Sequence, residues 1–168
     1  MKSFAYHEAG HVVAALHMGF DVEYTTIEQD VSPLWATKTV RLKDFFDEDA
    51  LMFGRLERKG KKSLTREDYK IFYSILIQKL AGYIAVELAS ELSGELAEVG
   101  GTDELSAHFN EDRAFALNTL NHLEREAADK KFKRIEGITT KLLKHRWEEV
   151  ESLSRRLQEE RTVYFSKN

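Results

Sequence analysis

The run from Ser3 to Gly19 reads Ser-Phe-Ala-Tyr-His-Glu-Ala-Gly-His-Val-Val-Ala-Ala-Leu-His-Met-Gly and is apolar on nearly every side. A serine before it and a glycine after it predict a helix, and a helix that is hydrophobic all round has to be buried. The rest of the chain must therefore supply the elements that surround it. Three residues in this helix are at odds with a core. His7, Glu8 and His11 spell H-E-x-x-H, and burying two imidazoles and a carboxylate costs on the order of several kcal/mol unless they are paired or coordinate something. Their spacing turns both histidines to one helix face, within reach of a single zinc ion, with Glu8 beside the metal's open position. Zinc accounts for all three, and the expected chemistry is that of a metal-hydroxide hydrolase, a peptidase first of all. The competing reading makes His7 and His11 hydrogen-bonded core residues and Glu8 an exposed residue at the helix start. A five-residue motif is short enough to arise that way. His17, six residues past His11, is off the shared face and reads as a near-surface histidine at the helix end, where the dipole favours its charge.

The remaining 150 or so residues are enough for one domain of mainly helical class, spanning 1–168, with 42% hydrophobic and 11% aromatic residues to form its core. A net charge of −4 argues against a nucleic-acid partner. Without cysteine, a metal must be held by His, Asp or Glu. No signal peptide and no apolar run of membrane-spanning length are evident, so the expectation is a cytoplasmic protein without a membrane span.

Val22 to Ile27 and Ala36 to Leu42 predict a small β-hairpin around the chain's only proline, Pro33. The charged stretch from Lys43 to Lys62 predicts a loop with at most a short helix near Asp47 to Glu57. Thr65 followed by Asp68 predicts a helix start, and Ile71, Ile75, Leu76, Leu80, Ile84 and Leu88 recur at helical spacing as far as Gly94. Further helices are expected from about Asp103 to Arg125 and from about Ile138 to Arg161.

A catalytic zinc needs a third protein ligand. Glu87 and Glu91, four apart on the long helix, and Asp103, which opens the next helix after Gly100-Gly101-Thr102, are all candidates, and spacing does not choose among them. His108, Tyr24 and Tyr69 are candidates by chemistry alone for steadying a developing oxyanion.

Ala5-Tyr6-His7-Glu8-Ala9-Gly10-His11-Val12-Val13-Ala14 resembles the opening of the peptidase domain of the FtsH-type ATP-dependent zinc proteases, usually A-x-H-E-A-G-H-A. In order along the chain, Leu80-Ala81-Gly82-Tyr83-Ile84-Ala85-Val86-Glu87 is similar to that family's L-A-G-R-A-A-E-E helix. Gly100-Gly101-Thr102-Asp103-Glu104-Leu105 resembles its T-G-A-x-N-D-L turn, and Thr140 to Val150 resembles its last helix. The resemblance implies that the aspartate of the turn, Asp103, is the third zinc ligand and that Glu87 is a structural residue. The sequence departs from the family where Gly-Gly-Thr-Asp-Glu replaces the usual Asn-Asp, which leaves Glu104 as the neighbouring alternative.

The chain begins at the zinc helix, so the expectation is a peptidase unit without the family's membrane anchor or ATPase. Gly54 to Ser63 departs from a phosphate loop in spacing and reads as a basic solvated loop. Such a unit would act without ATP on unfolded or flexible polypeptides, with a separate ATPase or adaptor, or a homo-oligomer, as conceivable assemblies. Two other readings use the same motif: a non-catalytic module that binds a peptide or partner protein, and a zinc amidase acting on a small molecule. Glu8 argues against the first, since a binding module has no need of a base.

Overall fold

The computed structural model describes residues 2–28, 36–39, 64–93 and 103–165. The apolar N-terminal run forms α1 (Lys2–His17), every residue of which from Ser3 to Ala15 is buried. The helix begins two residues earlier than a serine cap at Ser3 implies, leaving Ser3 in the first turn, a shift within the ordinary ambiguity of helix ends. It stops at Gly19, whose φ of 82° is one that side-chain-bearing residues rarely adopt. The Gly19 amide donates to Leu16 O at 3.1 Å and the Phe20 amide to Ala15 O at 3.0 Å, a Schellman closure that folds buried Phe20 back onto the helix.

The chain then runs into β1 (Val22–Thr26), paired antiparallel with β2 (Ala36–Thr39), so the expected hairpin forms. The sheet also has a third strand, β3 (Thr162–Tyr164), on the other side of β1. Thr25 pairs with Val163 there, and both are fully buried. A three-residue strand reached through Arg161, at φ 65°, gives no alternation long enough to be legible in the sequence.

The long core helix is α2 (Arg66–Ser93). Its N-terminus is a reciprocal capping box: the Asp68 amide donates to Thr65 Oγ1 at 3.1 Å, and the Thr65 amide donates to Asp68 Oδ2 at 2.7 Å. By length and composition alone α2 is apolar enough to cross a membrane, its most apolar 18-residue window having a mean hydropathy of 1.4. In this fold 61% of that window is buried, as in a core helix packed against other helices. Next comes α3 (Asp103–Glu124), and a single 3-10 turn (Arg125–Ala127) leads into α4 (Ala128–His145) and α5 (Trp147–Glu160).

One helix was expected where α4 and α5 stand, and the difference has a physical cause. Buried positions run Ala128, Phe132, Ile135, Thr139 and Leu143 in α4, then Val150, Leu153 and Leu157 in α5, so the apolar phase continues through the break. Neither proline nor glycine marks the break. It falls at Arg146 (φ −109°, ψ 23°), whose amide is shared by Leu142 O and Leu143 O. Trp147, the first residue of α5, stacks on Tyr6 of α1 with centroids 5.8 Å apart. The earlier start of α4 was hidden by Gly137, which is exposed mid-helix, where glycine costs only about 1 kcal/mol.

Helix α1 is thus enclosed by α2, α5 and the sheet, with α4 behind. Where α1 and α2 meet, a Cβ on Gly10 would run into Ala81 O and Ala85 Cβ. Its absence lets the two backbones approach closely.

Candidate metal centre

Because α1 is buried on all sides, the H-E-x-x-H residues are buried with it. His7 is 0% exposed, Glu8 2% and His11 5%. Ligand atoms of the three lie within 4.8 Å of one another, a buried group that could hold a metal ion.

Neighbouring helices shape the space around the imidazoles. On α2, a Cβ at Gly82 would stand 2.5 Å from His11 Nε2 and 2.6 Å from His7 Cε1. The glycine leaves room for both rings. One turn earlier on α2, the Gln78 carbonyl lies 2.7 Å from His11 Nδ1. A carbonyl only accepts, so Nδ1 carries the proton and the neutral ring presents a lone pair at Nε2, the tautomer a metal needs. His7 Nε2 lies 2.9 Å from His11 Nε2, with the rings edge to face.

From α3 comes the carboxylate of Asp112, whose Oδ2 is 3.3 Å from His7 Nε2 and 3.2 Å from His11 Nε2. Three donor atoms therefore form a near-equilateral triangle. Ligands at zinc's usual 2.0–2.1 Å in a tetrahedron are separated by about 3.3–3.4 Å, so a triangle of this size accommodates zinc with little adjustment. A lone pair on His11 and a carboxylate oxygen at 3.2 Å repel each other unless positive charge lies between them, supplied by a proton or by a cation.

The titration behaviour follows from the same geometry. Burial, aided by neighbouring His11, holds His7 below its ordinary pKa. Burial also pulls His11 down, but the hydrogen bond and charge of Asp112 outweigh it and leave His11 raised. Burial pushes Asp112 up, and the two histidines, with Lys79, more than reverse this and hold it well below the usual carboxylate range. The cluster thus keeps an ionised carboxylate against one readily protonated imidazole, an electrostatic setting that a divalent cation also fits.

The carboxylates weighed from the sequence either have other partners or lie outside the described residues. Glu87 and Glu91 are exposed on α2, Glu87 accepting the Tyr83 hydroxyl and Glu91 paired with Lys144 at 3.3 Å. Asp103 opens α3, but its side chain, with those of Glu104 and His108, lies outside the described residues. Among the described residues, the carboxylate within 3.3 Å of both histidine Nε2 atoms is that of Asp112, nine residues further along the same helix, about 13 Å of rise. Tyr24 packs on Tyr164 and Tyr69 on Tyr73.

Asp112 was missed because a carboxylate mid-helix looks like one more solvated residue. The signal that could have found it is Asn110-Glu111-Asp112, which sets an asparagine and an aspartate close together where Gly101 to Glu104 do not. Gln78 and Lys79 carried no comparable signal. The expected helix at Asp47 to Glu57 and the basic loop from Gly54 to Ser63 lie outside the described residues.

The sequence matches no known protein-family profile and no curated protein.

Proposed function

We propose that this chain is a zinc-dependent metallopeptidase that hydrolyses peptide bonds in unfolded or flexible polypeptides. The observation that supports this most is the convergence of His7 Nε2, His11 Nε2 and Asp112 Oδ2 beside a buried Glu8. On this reading His7, His11 and Asp112 hold the zinc, with Asp112 taking the part that the resemblance to FtsH-type peptidases implied for Asp103. Bound zinc supplies Lewis acidity, lowering the pKa of water in its open position towards neutrality and polarising the scissile carbonyl.

The chain's own residues do the rest. Glu8 follows His7 directly within the buried stretch of α1, so its carboxylate is held at a fixed offset from the imidazoles. It takes the proton from the attacking water and delivers it to the leaving amine. Gln78 fixes the His11 tautomer, and Gly82 keeps the space in which the two rings converge.

The test is metal analysis of the purified chain together with cleavage of a fluorescently labelled unfolded protein by the native chain and by Glu8→Gln. The reading expects about one zinc per chain in both forms and a loss of cleavage in Glu8→Gln of about 10²-fold or more, the usual weight of a general base. Zinc without cleavage by the native chain would turn the reading towards a binding module or a small-molecule amidase. Cleavage that survives Glu8→Gln would overturn the role given to Glu8.

A further inference from the structure

The two oxygens of Asp112 face different groups. Oδ2 is turned to the histidines, whereas Oδ1 lies 3.4 Å from Lys79 Nζ. Lys79 stands on α2 one residue past Gln78 and three before Gly82, so the residues that orient His11, grip Asp112 and make room for both rings occupy a single turn. Its ammonium also lies 5.9 Å from the centre of the Phe115 ring, one turn beyond Asp112 on α3. The side chain therefore spans two helices and is held at both the carboxylate and the ring. With Lys79 26% and Asp112 15% exposed, the pair is less screened by solvent than a surface ion pair.

A carboxylate at the end of a rotatable side chain can offer a metal one oxygen or two. Two would occupy the position that a catalytic zinc leaves open for water and substrate. We propose that Lys79 is a positioning residue for the metal centre: by holding Oδ1 of Asp112 it leaves Oδ2 alone to face His7 and His11, so the carboxylate enters as a one-oxygen ligand. This rests on the metal-binding reading given above. Groups that orient a metal ligand from behind typically matter by about 10- to 100-fold in metal affinity.

The experiment compares the native chain, Lys79→Met and Lys79→Arg by two measurements. One is the visible absorption of the cobalt(II)-loaded protein, which is intense for four-coordinate and weak for five-coordinate ions. The other is zinc affinity by competition with a chelator. The native chain and Lys79→Arg are expected to give the intense band; Lys79→Met is expected to lose intensity and to bind zinc about tenfold or more weakly, because the freed carboxylate must be ordered on binding. Lys79→Met with a native band and an affinity within twofold of native would overturn the proposal. So would a weakened affinity that Lys79→Arg does not restore and that leaves the cobalt band unchanged, since that is the signature of a merely structural lysine. Thermal unfolding of the metal-free variants shows whether each folds, and Lys79→Gln is judged by the same criteria if Lys79→Met does not. A native chain that binds neither metal would overturn the metal-centre reading itself, an outcome distinct from native binding that Lys79→Met leaves intact.

Discussion

Gly82 on α2 stands where one added methyl group would approach His11 Nε2 to 2.5 Å. The imidazole cannot swing aside cheaply, because His11 is buried and its Nδ1 is tied to Gln78 O at 2.7 Å. Gly82→Ala is therefore expected to cost about 1–3 kcal/mol in folding stability, the usual penalty of overpacking, and to weaken zinc binding because both rings must move. Urea unfolding and chelator competition measure the two effects. Gly10→Ala, which presses on Ala81 and Ala85 instead, should destabilise the fold without so direct an effect on the metal.

Asp112 and Asp103 make opposite predictions as third ligand. Asp112→Asn is expected to weaken zinc binding by about 10²-fold or more, whereas Asp103→Asn should leave affinity within a few-fold of native. Loss of an anionic ligand removes both a donor and the charge that attracts the ion. Isothermal titration of the metal-free proteins with zinc separates the two. A larger loss in Asp103→Asn would return the ligand to the start of α3.

The contrast between these two aspartates shows what the sequence could and could not convey. H-E-x-x-H was legible because both histidines and the base lie within five residues on one helix, so periodicity alone sets their relative directions. Helix α2 was legible for a similar reason, since Thr65, Asp68 and the apolar spacing are local. Asp112 and Gln78 meet His11, and Lys79 meets Asp112, only because α2 packs on α1 and α3 packs on α2, and helical periodicity does not record which carboxylate faces inward. The break at Arg146 escaped notice because the apolar phase of Leu143 and Val150 runs unbroken across it.

Zinc should also stabilise the fold. An ion that binds only the native state contributes RT ln(1 + [L]/Kd), about 2.7 kcal/mol at a hundredfold excess over Kd. Stripping the metal with a chelator is expected to lower the melting temperature, and zinc to restore it. Scanning calorimetry of the native chain and His11→Ala checks this; the variant should show no response to either treatment.

At alkaline pH the fold should weaken as Tyr83 and Lys131 lose their protons. Burial, together with the hydrogen bond to Glu87, pushes the Tyr83 hydroxyl up to about 12 from an unfolded value near 10. Tyr73 and Glu124 raise Lys131 in the same direction. In both cases the unfolded chain releases its proton first, so the contribution is whole below about pH 10 and is lost as pH rises through the folded values. Denaturant midpoints at about pH 9 and about pH 11.5 should show the fall, and Tyr83→Phe should make it shallower.

The most direct test of the central claim is X-ray absorption at the zinc edge on the purified chain, with metal content measured on the same sample. The prediction is about one zinc per chain with nitrogen and oxygen ligands at about 2.0–2.1 Å, including two imidazoles, and loss of one oxygen ligand in Asp112→Asn. A chain that takes up no zinc or other divalent metal, even after dialysis against an excess, would make His7 and His11 core histidines and contradict the account.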